Sequence, residues 1–184
     1  MSHLALYSWP IASKWHMPSL THLYITYFSN SPCSSTFWIT PKPNLELLHF
    51  GHETDLSVFP ELAQLVCQAT PNVRALEYYY GSSEMSWDPS CLPESLKEVT
   101  IKTFHVQSGC KRGQLDVSFS EDGSRPGLTP AVAEKWATFA RHLASYAVRP
   151  TVLVPRGVPL DCLRALVDPI LTEHGAEAFF AESP

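Results

Sequence analysis

Basic side chains are scarce in this chain: 13 Lys and Arg stand against 18 Asp and Glu over 184 residues, a formal net charge of -5 at pH 7. That balance supplies no positive field to grip a phosphate backbone, so nucleic acid is excluded as the expected partner. Paired cysteines are missing as well. The five cysteines, Cys33, Cys67, Cys91, Cys110 and Cys162, are odd in number and form no C-x-x-C. Neither a zinc site nor a redox motif is written in that spacing, and reduced thiols in an intracellular protein are the expectation. No apolar run approaches the length of a membrane span. The opening stretch MSHLALYSWPIASKWHM lacks a basic lead, and Pro10 interrupts it, so it does not read as a signal peptide; no N-x-S/T sequon occurs either. A cytoplasmic or nuclear location is expected.

Catalytic signatures are equally thin. No P-loop and no G-x-S-x-G elbow occurs. His49, His52, Glu53 and Asp55 crowd into HFGHETD, yet the H-E-x-x-H zinc pattern fails because Leu56 stands where the second histidine belongs. A polar loop leading into a helix cap explains those residues better. TVLVPRGVPLDCLRALV has the strand, loop, helix order of a nucleotide site, but Gly157 is its one glycine, where several are needed for close backbone approach to phosphate. Cys67 and Cys162 sit among apolar residues and read as small core side chains, and His142 on the tail helix reads as a surface residue. No catalytic residue, metal site or cofactor is expected.

What the chain does have is a recurring triplet, L-x-x-L-x-L in pattern: Leu20, Leu23, Ile25; Leu45, Leu48, Phe50; Val73, Leu76, Tyr78; and Leu96, Val99, Ile101. The four start at residues 20, 45, 73 and 96, intervals of 25, 28 and 23, close to the period of about 20 to 29 residues in leucine-rich repeats. A proline stands just ahead of each, at Pro18, Pro43, Pro71 and Pro93, and marks where each strand begins. Ahead of the third triplet a helix is predicted. Asp55 or Ser57 serves as its cap, Pro60 lies in its first turn, Val58, Leu62, Leu65, Val66 and Ala69 form one stripe, and Thr70-Pro71 stops it.

The flanks are less regular. Leu4, Tyr7, Ile11 and Trp15 fall near helical spacing, with Pro10 breaking it, and residues 1–16 are expected to cap the end of the core. Residues 17–128 hold the repeats. Leu115, Val117 and Phe119 alternate as a short fifth strand between loops rich in glycine and charge. In residues 129–184, Thr129-Pro130 starts a helix with Val132, Trp136, Phe139, Leu143 and Tyr146 on its stripe. Residues 151–154 form a buried strand, and Leu160, Leu163 and Val167 start another helix. Asp168-Pro169 should break that helix and start a new turn, which Gly175 closes. One domain of 184 residues is expected.

In an extended strand the last two apolar residues of each triplet point inward and the residues between them point out. Burying a Leu-sized side chain contributes roughly 1.5 to 3 kcal/mol, against about 1 to 2 kcal/mol of backbone entropy per ordered residue. Three anchors cannot order twenty-odd residues alone, so neighbouring units must share a core. The expected fold is α/β: a leucine-rich-repeat-like solenoid with a curved parallel sheet, irregular returns and helices on its convex side. Its outward positions form one row of Tyr24, His49, Glu77 and Thr100 and a second of Thr26, Gly51, Tyr79 and Lys102. Tyr24, Thr26, His49, Glu77, Tyr79, Thr100 and Lys102 are the candidate binding residues, a mix of aromatics and both charge signs suited to a protein partner.

PSLTHLYI, PNLELLHF, PNVRALEYY and PESLKEVTI together resemble the degenerate leucine-rich repeats of fungal F-box-type proteins, over about residues 17–103. In that family an F-box module docks on the adaptor of a cullin ubiquitin ligase while the repeats recruit a substrate. The resemblance thus implies substrate recognition for such a ligase, with a cullin ligase adaptor as a further partner through an F-box that the 184 residues do not contain. The asparagine that follows the triplet in many leucine-rich repeats is replaced here. Two other readings compete: a small hydrolase or ligand-binding α/β enzyme without a recognisable motif, and a truncated, non-functional fragment.

Overall fold

The computed structural model describes residues 2–6, 17–27, 38–53, 60–80, 91–107, 110–113, 130–156, 158 and 160–183. Its strands are β1 (His3–Leu6), β2 (His22–Tyr27), β3 (Leu47–Glu53), β4 (Ala75–Tyr79), β5 (Glu98–Lys102), β6 (Phe104–Gln107), β7 (Cys110–Gly113), β8 (Thr151–Val154) and β9 (Phe179–Glu182). Its helices are α1 (Pro60–Ala69), α2 (Pro130–Ala144) and α3 (Leu160–Glu173). The class is α/β. Seven strands form an open sheet in the order β1-β2-β3-β4-β5-β8-β9, and β6 and β7 form a separate two-stranded sheet. By internal contacts the chain forms two compact units, Met1–Thr100 and Ile101–Pro184.

In the first unit the same local structure occurs four times. Backbone turns close from Leu20 N to Met17 O, Leu45 N to Lys42 O, Val73 N to Thr70 O and Leu96 N to Pro93 O, at 3.0 to 3.2 Å. In the first three a proline holds the second turn position, where its fixed φ is already correct. In the fourth the proline has moved one place back and Glu94 takes its position. A strand follows each turn. The chain entering each strand is tied to the one before: Thr21 O accepts from Glu46 and Leu47 N, Glu46 O from Arg74 and Ala75 N, and Arg74 O from Lys97 and Glu98 N. Pairing is parallel with Leu23 beside Leu48 and Leu48 beside Leu76.

All twelve triplet side chains are buried, Leu96 being the most exposed at 7%. The alternation seen in the sequence is therefore the alternation of the sheet. Helix α1 is described from Pro60, which the sequence places in the first turn, and its Val66 and Ala69 are buried. It ends with its last carbonyls occupied, since Thr70 Oγ1 donates to Val66 O (2.8 Å) and Lys42 N to Ala69 O. The proposed caps Asp55 and Ser57, and Val58, lie outside the described residues.

The N-terminal segment differs from expectation. Residues 3–6 form β1, a parallel strand in register with β2 that pairs Leu4 with Leu23. Four residues are too few for helical spacing to decide against an adjacent strand edge, whose unpaired backbone groups supply the partner. Residues 7–16 lie outside the described part.

In the second unit, β6 and β7 pair antiparallel, with Gln107 beside Cys110, where the glycine and charge content had suggested loops. The expected strand at Leu115, Val117 and Phe119 lies outside the described residues. Helix α2 buries Trp136, Phe139 and Leu143 of the predicted stripe, together with Ala140; Tyr146 is buried just past its end, and the Val132 side chain is not among those described. Strands β8 and β9 run parallel, with Val152 beside Phe180, and α3 connects them. This helix runs unbroken through Pro169, where the sequence predicted a stop. Proline removes the donor that would reach the carbonyl of Ala165, but Ala165 and Pro169 are both exposed, where losing that bond costs least. Leu163, Val167 and Leu171 meanwhile keep the buried stripe continuous. The expected closure at Gly175 is present, at φ +65°, with Ala176 N donating to Leu171 O (2.9 Å) and Gly175 N to Thr172 O (3.0 Å), the two bonds of a Schellman cap. Among the described residues no helix is long and apolar enough to cross a membrane.

Candidate functional site

Register brings the first predicted row together. Tyr24 on β2 pairs with His49 on β3, and His49 with Glu77 on β4. The backbone bonds from Lys97 and Glu98 to Arg74 O carry the same register onto β5, which places Thr100 beside Glu77. All four side chains are half-buried on the face opposite the triplets. His49 is the centre of the group. Its Nδ1 lies 3.3 Å from Glu77 Oε2, an ion-pair distance when the ring is protonated, although the two atoms are not aligned as a hydrogen bond. The Tyr24 ring is 5.5 Å from the imidazole and tilted by 39°, and the Tyr79 ring meets it edge-on at 6.3 Å. Such spacings suit aromatic contact without a closed stack.

The second row is less uniform. Pairing slips by one residue between Ile25 and Tyr27, which stand beside Phe50 and Glu53, so β3 carries an extra residue and the level of Thr26 and Gly51 is displaced. The Thr26 side chain is not among those described. Tyr79 is half-buried beside His49, whereas Lys102 belongs to the second unit.

One turn of the sheet below the His49 row, His3 and His22 stack with ring centroids 4.2 Å apart and planes 16° from parallel. Thr21 Oγ1 donates its hydrogen to Ser2 O (2.9 Å), so the 2.8 Å contact between Thr21 Oγ1 and His22 Nδ1 requires the proton on the histidine. Among the described residues no group of three or more His, Cys, Asp or Glu is placed to hold a metal ion. The side chains of His52 and Glu53 are not described.

A second feature was missed in the sequence. Asn44 Nδ2 donates to Pro18 O (2.5 Å), Asn72 Nδ2 to Pro43 O (2.8 Å) and Ser95 Oγ to Pro71 O (2.9 Å). Each joins one turn to the carbonyl of the turn before it. The ladder precedes the triplet, whereas the familiar repeat asparagine follows it; the signal was the short polar residue in third position of every turn. It floors a polar groove of about 620 Å³ lined by Thr21, Asn44, Glu46, Asn72 and Arg74. In the second unit, a groove of about 400 Å³ is edged by Arg149, Arg164, Asp168, Glu177 and the half-exposed Phe179.

His142 is corrected. It is half-buried, with Nε2 3.4 Å from Tyr146 OH, and burial pushes its pKa down to about 4. Cys67 and Cys162 are each half-buried, and burial pushes the Cys67 thiol up to about 12. Against known proteins, no family model matches the chain, and no curated protein or solved structure does.

Proposed function

We propose that the chain is a protein-binding module of leucine-rich-repeat type whose binding face is the outward side of the first unit's sheet. The observation that carries this reading is the half-buried cluster of Tyr24, His49, Glu77 and Tyr79, set in register across three parallel strands. Tyrosine rings on a rigid sheet offer large contact area at low entropic cost, and such residues dominate the energetics of protein interfaces. The fourfold turn and the side-chain ladder support stacking of the repeats as a solenoid, with a curved sheet and helices on the convex side. The narrower reading is substrate recognition for an F-box-type ubiquitin ligase, and it stands on the repeat resemblance.

The test uses the full chain as bait in quantitative co-purification, with Tyr24→Ala/Tyr79→Ala and the exposed second-unit variant Glu173→Ala beside it. Proteins retained by the wild type and Glu173→Ala but lost from the double variant support the reading. An identical set on all three baits overturns it, as does binding confined to a small ligand or metal. Recovery of a cullin ligase adaptor supports the narrower reading.

A further inference from the structure

The outward face of the first unit carries fixed charge of one sign. At the outward positions described on β1 to β5, as far as Thr100, there is no lysine or arginine, whereas Glu77 and Glu98 both stand there. Arg74 and Lys97 precede β4 and β5 and are one place out of step with that face. The one offsetting charge is conditional. His49 balances Glu77 only when its ring is protonated, across a 3.3 Å contact that is not an aligned hydrogen bond. With the ring neutral, the face presents a carboxylate whose side chain is 27% exposed, beside an imidazole that is 15% exposed, so the charge has lost part of its water. Aromatic rings adjoin it. Tyr79 lies two residues along β4 on the same face, its ring edge-on to His49 at 6.3 Å, and Tyr24 meets the imidazole from β2 at 5.5 Å.

We propose that this face recognises a basic segment of the partner protein and seats an arginine side chain on the Glu77 carboxylate, against the rings of Tyr79 and His49. The inference rests on the outward face being the binding face and names what that face selects. A partly dehydrated carboxylate among ring faces attracts a cation and repels an anion, because the faces of aromatic rings are themselves negative. Both features point the same way. A guanidinium satisfies them together, since its plane stacks on a tyrosine ring while its fork makes two charge-assisted hydrogen bonds to one carboxylate. An ammonium group supplies the charge without the plane. The formal net charge of -5 draws a basic segment in from a distance as well.

The test selects random octapeptides displayed on phage against the full chain at pH 8, with Glu77→Gln and Tyr24→Ala/Tyr79→Ala carried in parallel and circular dichroism melts confirming that each is folded. Peptides enriched on the wild type are expected to be rich in arginine and, when synthesised and titrated by fluorescence anisotropy, to bind Glu77→Gln about tenfold more weakly. A change in the peptide tests the same contact without altering the protein. Citrulline in place of the arginine keeps the shape and drops the charge; it should weaken binding to the wild type about tenfold and to Glu77→Gln by less than about twofold. Enriched peptides that are acidic or uncharged, or a citrulline change that costs both proteins equally, overturn the assignment of a cation and leave the binding face standing. Peptides held equally by Tyr24→Ala/Tyr79→Ala, or none selected by the wild type over it, defeat the binding face itself and this proposal with it.

Discussion

His142 makes the fold of the second unit sensitive to acid, and the size of the effect follows from its surroundings. The residue lies in the last turn of α2, where the helix dipole favours a cation by about 0.3 to 1 kcal/mol. Burial opposes this and wins, holding the pKa near 4 against the ordinary 6.5, a difference worth roughly 3 kcal/mol between the two protonation states. Nε2 lies 3.4 Å from Tyr146 OH, a hydroxyl able to donate to the neutral ring or accept from the protonated one, so burial is what sets the preference. In the unfolded chain the ring takes up a proton near pH 6.5, while in the folded chain it waits until about pH 4. The unfolded state therefore holds more protons between those values. Stability from this group is complete above pH 6.5 and declines as pH falls, by about 2 kcal/mol at pH 5 and about 3 kcal/mol at pH 4. Other groups titrate in this range, so the quantity to measure is the difference between wild type and His142→Gln. Urea unfolding followed by tryptophan fluorescence at pH 7, 6, 5 and 4.5 supplies it, with Trp136 reporting from the same helix. The gap should shift against the wild type by about 2 kcal/mol between pH 7 and pH 5. A gap constant within about 0.5 kcal/mol would show that His142 is not held neutral by burial, and the reasoning would fail.

Other substitutions probe the sheet and its turns. Leu76→Asp puts a charge in a site 2% exposed and should abolish cooperative unfolding, while Tyr79→Ala, on the outward face, should leave it nearly intact; equal tolerance in circular dichroism melts would contradict the assigned faces. Asn44→Ala and Asn72→Ala each remove a bond to the preceding turn and should cost about 1 kcal/mol by urea titration. No loss in either would mean the ladder contributes nothing. Lys42 is 6% exposed, over the Trp38 ring and bonded to Thr40 O, and burial lowers its pKa to about 8. Its folded form prefers to be neutral, so wild-type stability should rise as pH climbs from about 8 toward 10, and Lys42→Met should lack that rise.

The repeat was legible because its causes are local. Proline at Pro18, Pro43 and Pro71 presets the turn, and alternation then sends Leu23 and Ile25, or Leu48 and Phe50, to one side whatever lies beyond. The candidate row was legible for the same reason: Tyr24, His49, Glu77 and Thr100 occupy one position in four copies of one pattern. Alternation could not reveal the extra residue in β3, which displaces the second row at Thr26. Nor could the spacing of polar residues announce that Asn44 reaches back to Pro18, because that bond exists between turns and within none.

The amino-acid order by itself determined which side chains leave water, where turns close and where α1, α2 and the cap at Gly175 lie, since these depend on dihedral sterics and on apolar period over a few residues. Tertiary structure alone decided that residues 3–6 are a strand, that β8 and β9 pair, that α3 passes through Pro169 and that His142 is half-buried beside Tyr146. Each of those outcomes needs a partner distant in the chain, a free strand edge, a buried stripe or a neighbouring ring, and a residue's own preferences do not specify which partner it meets.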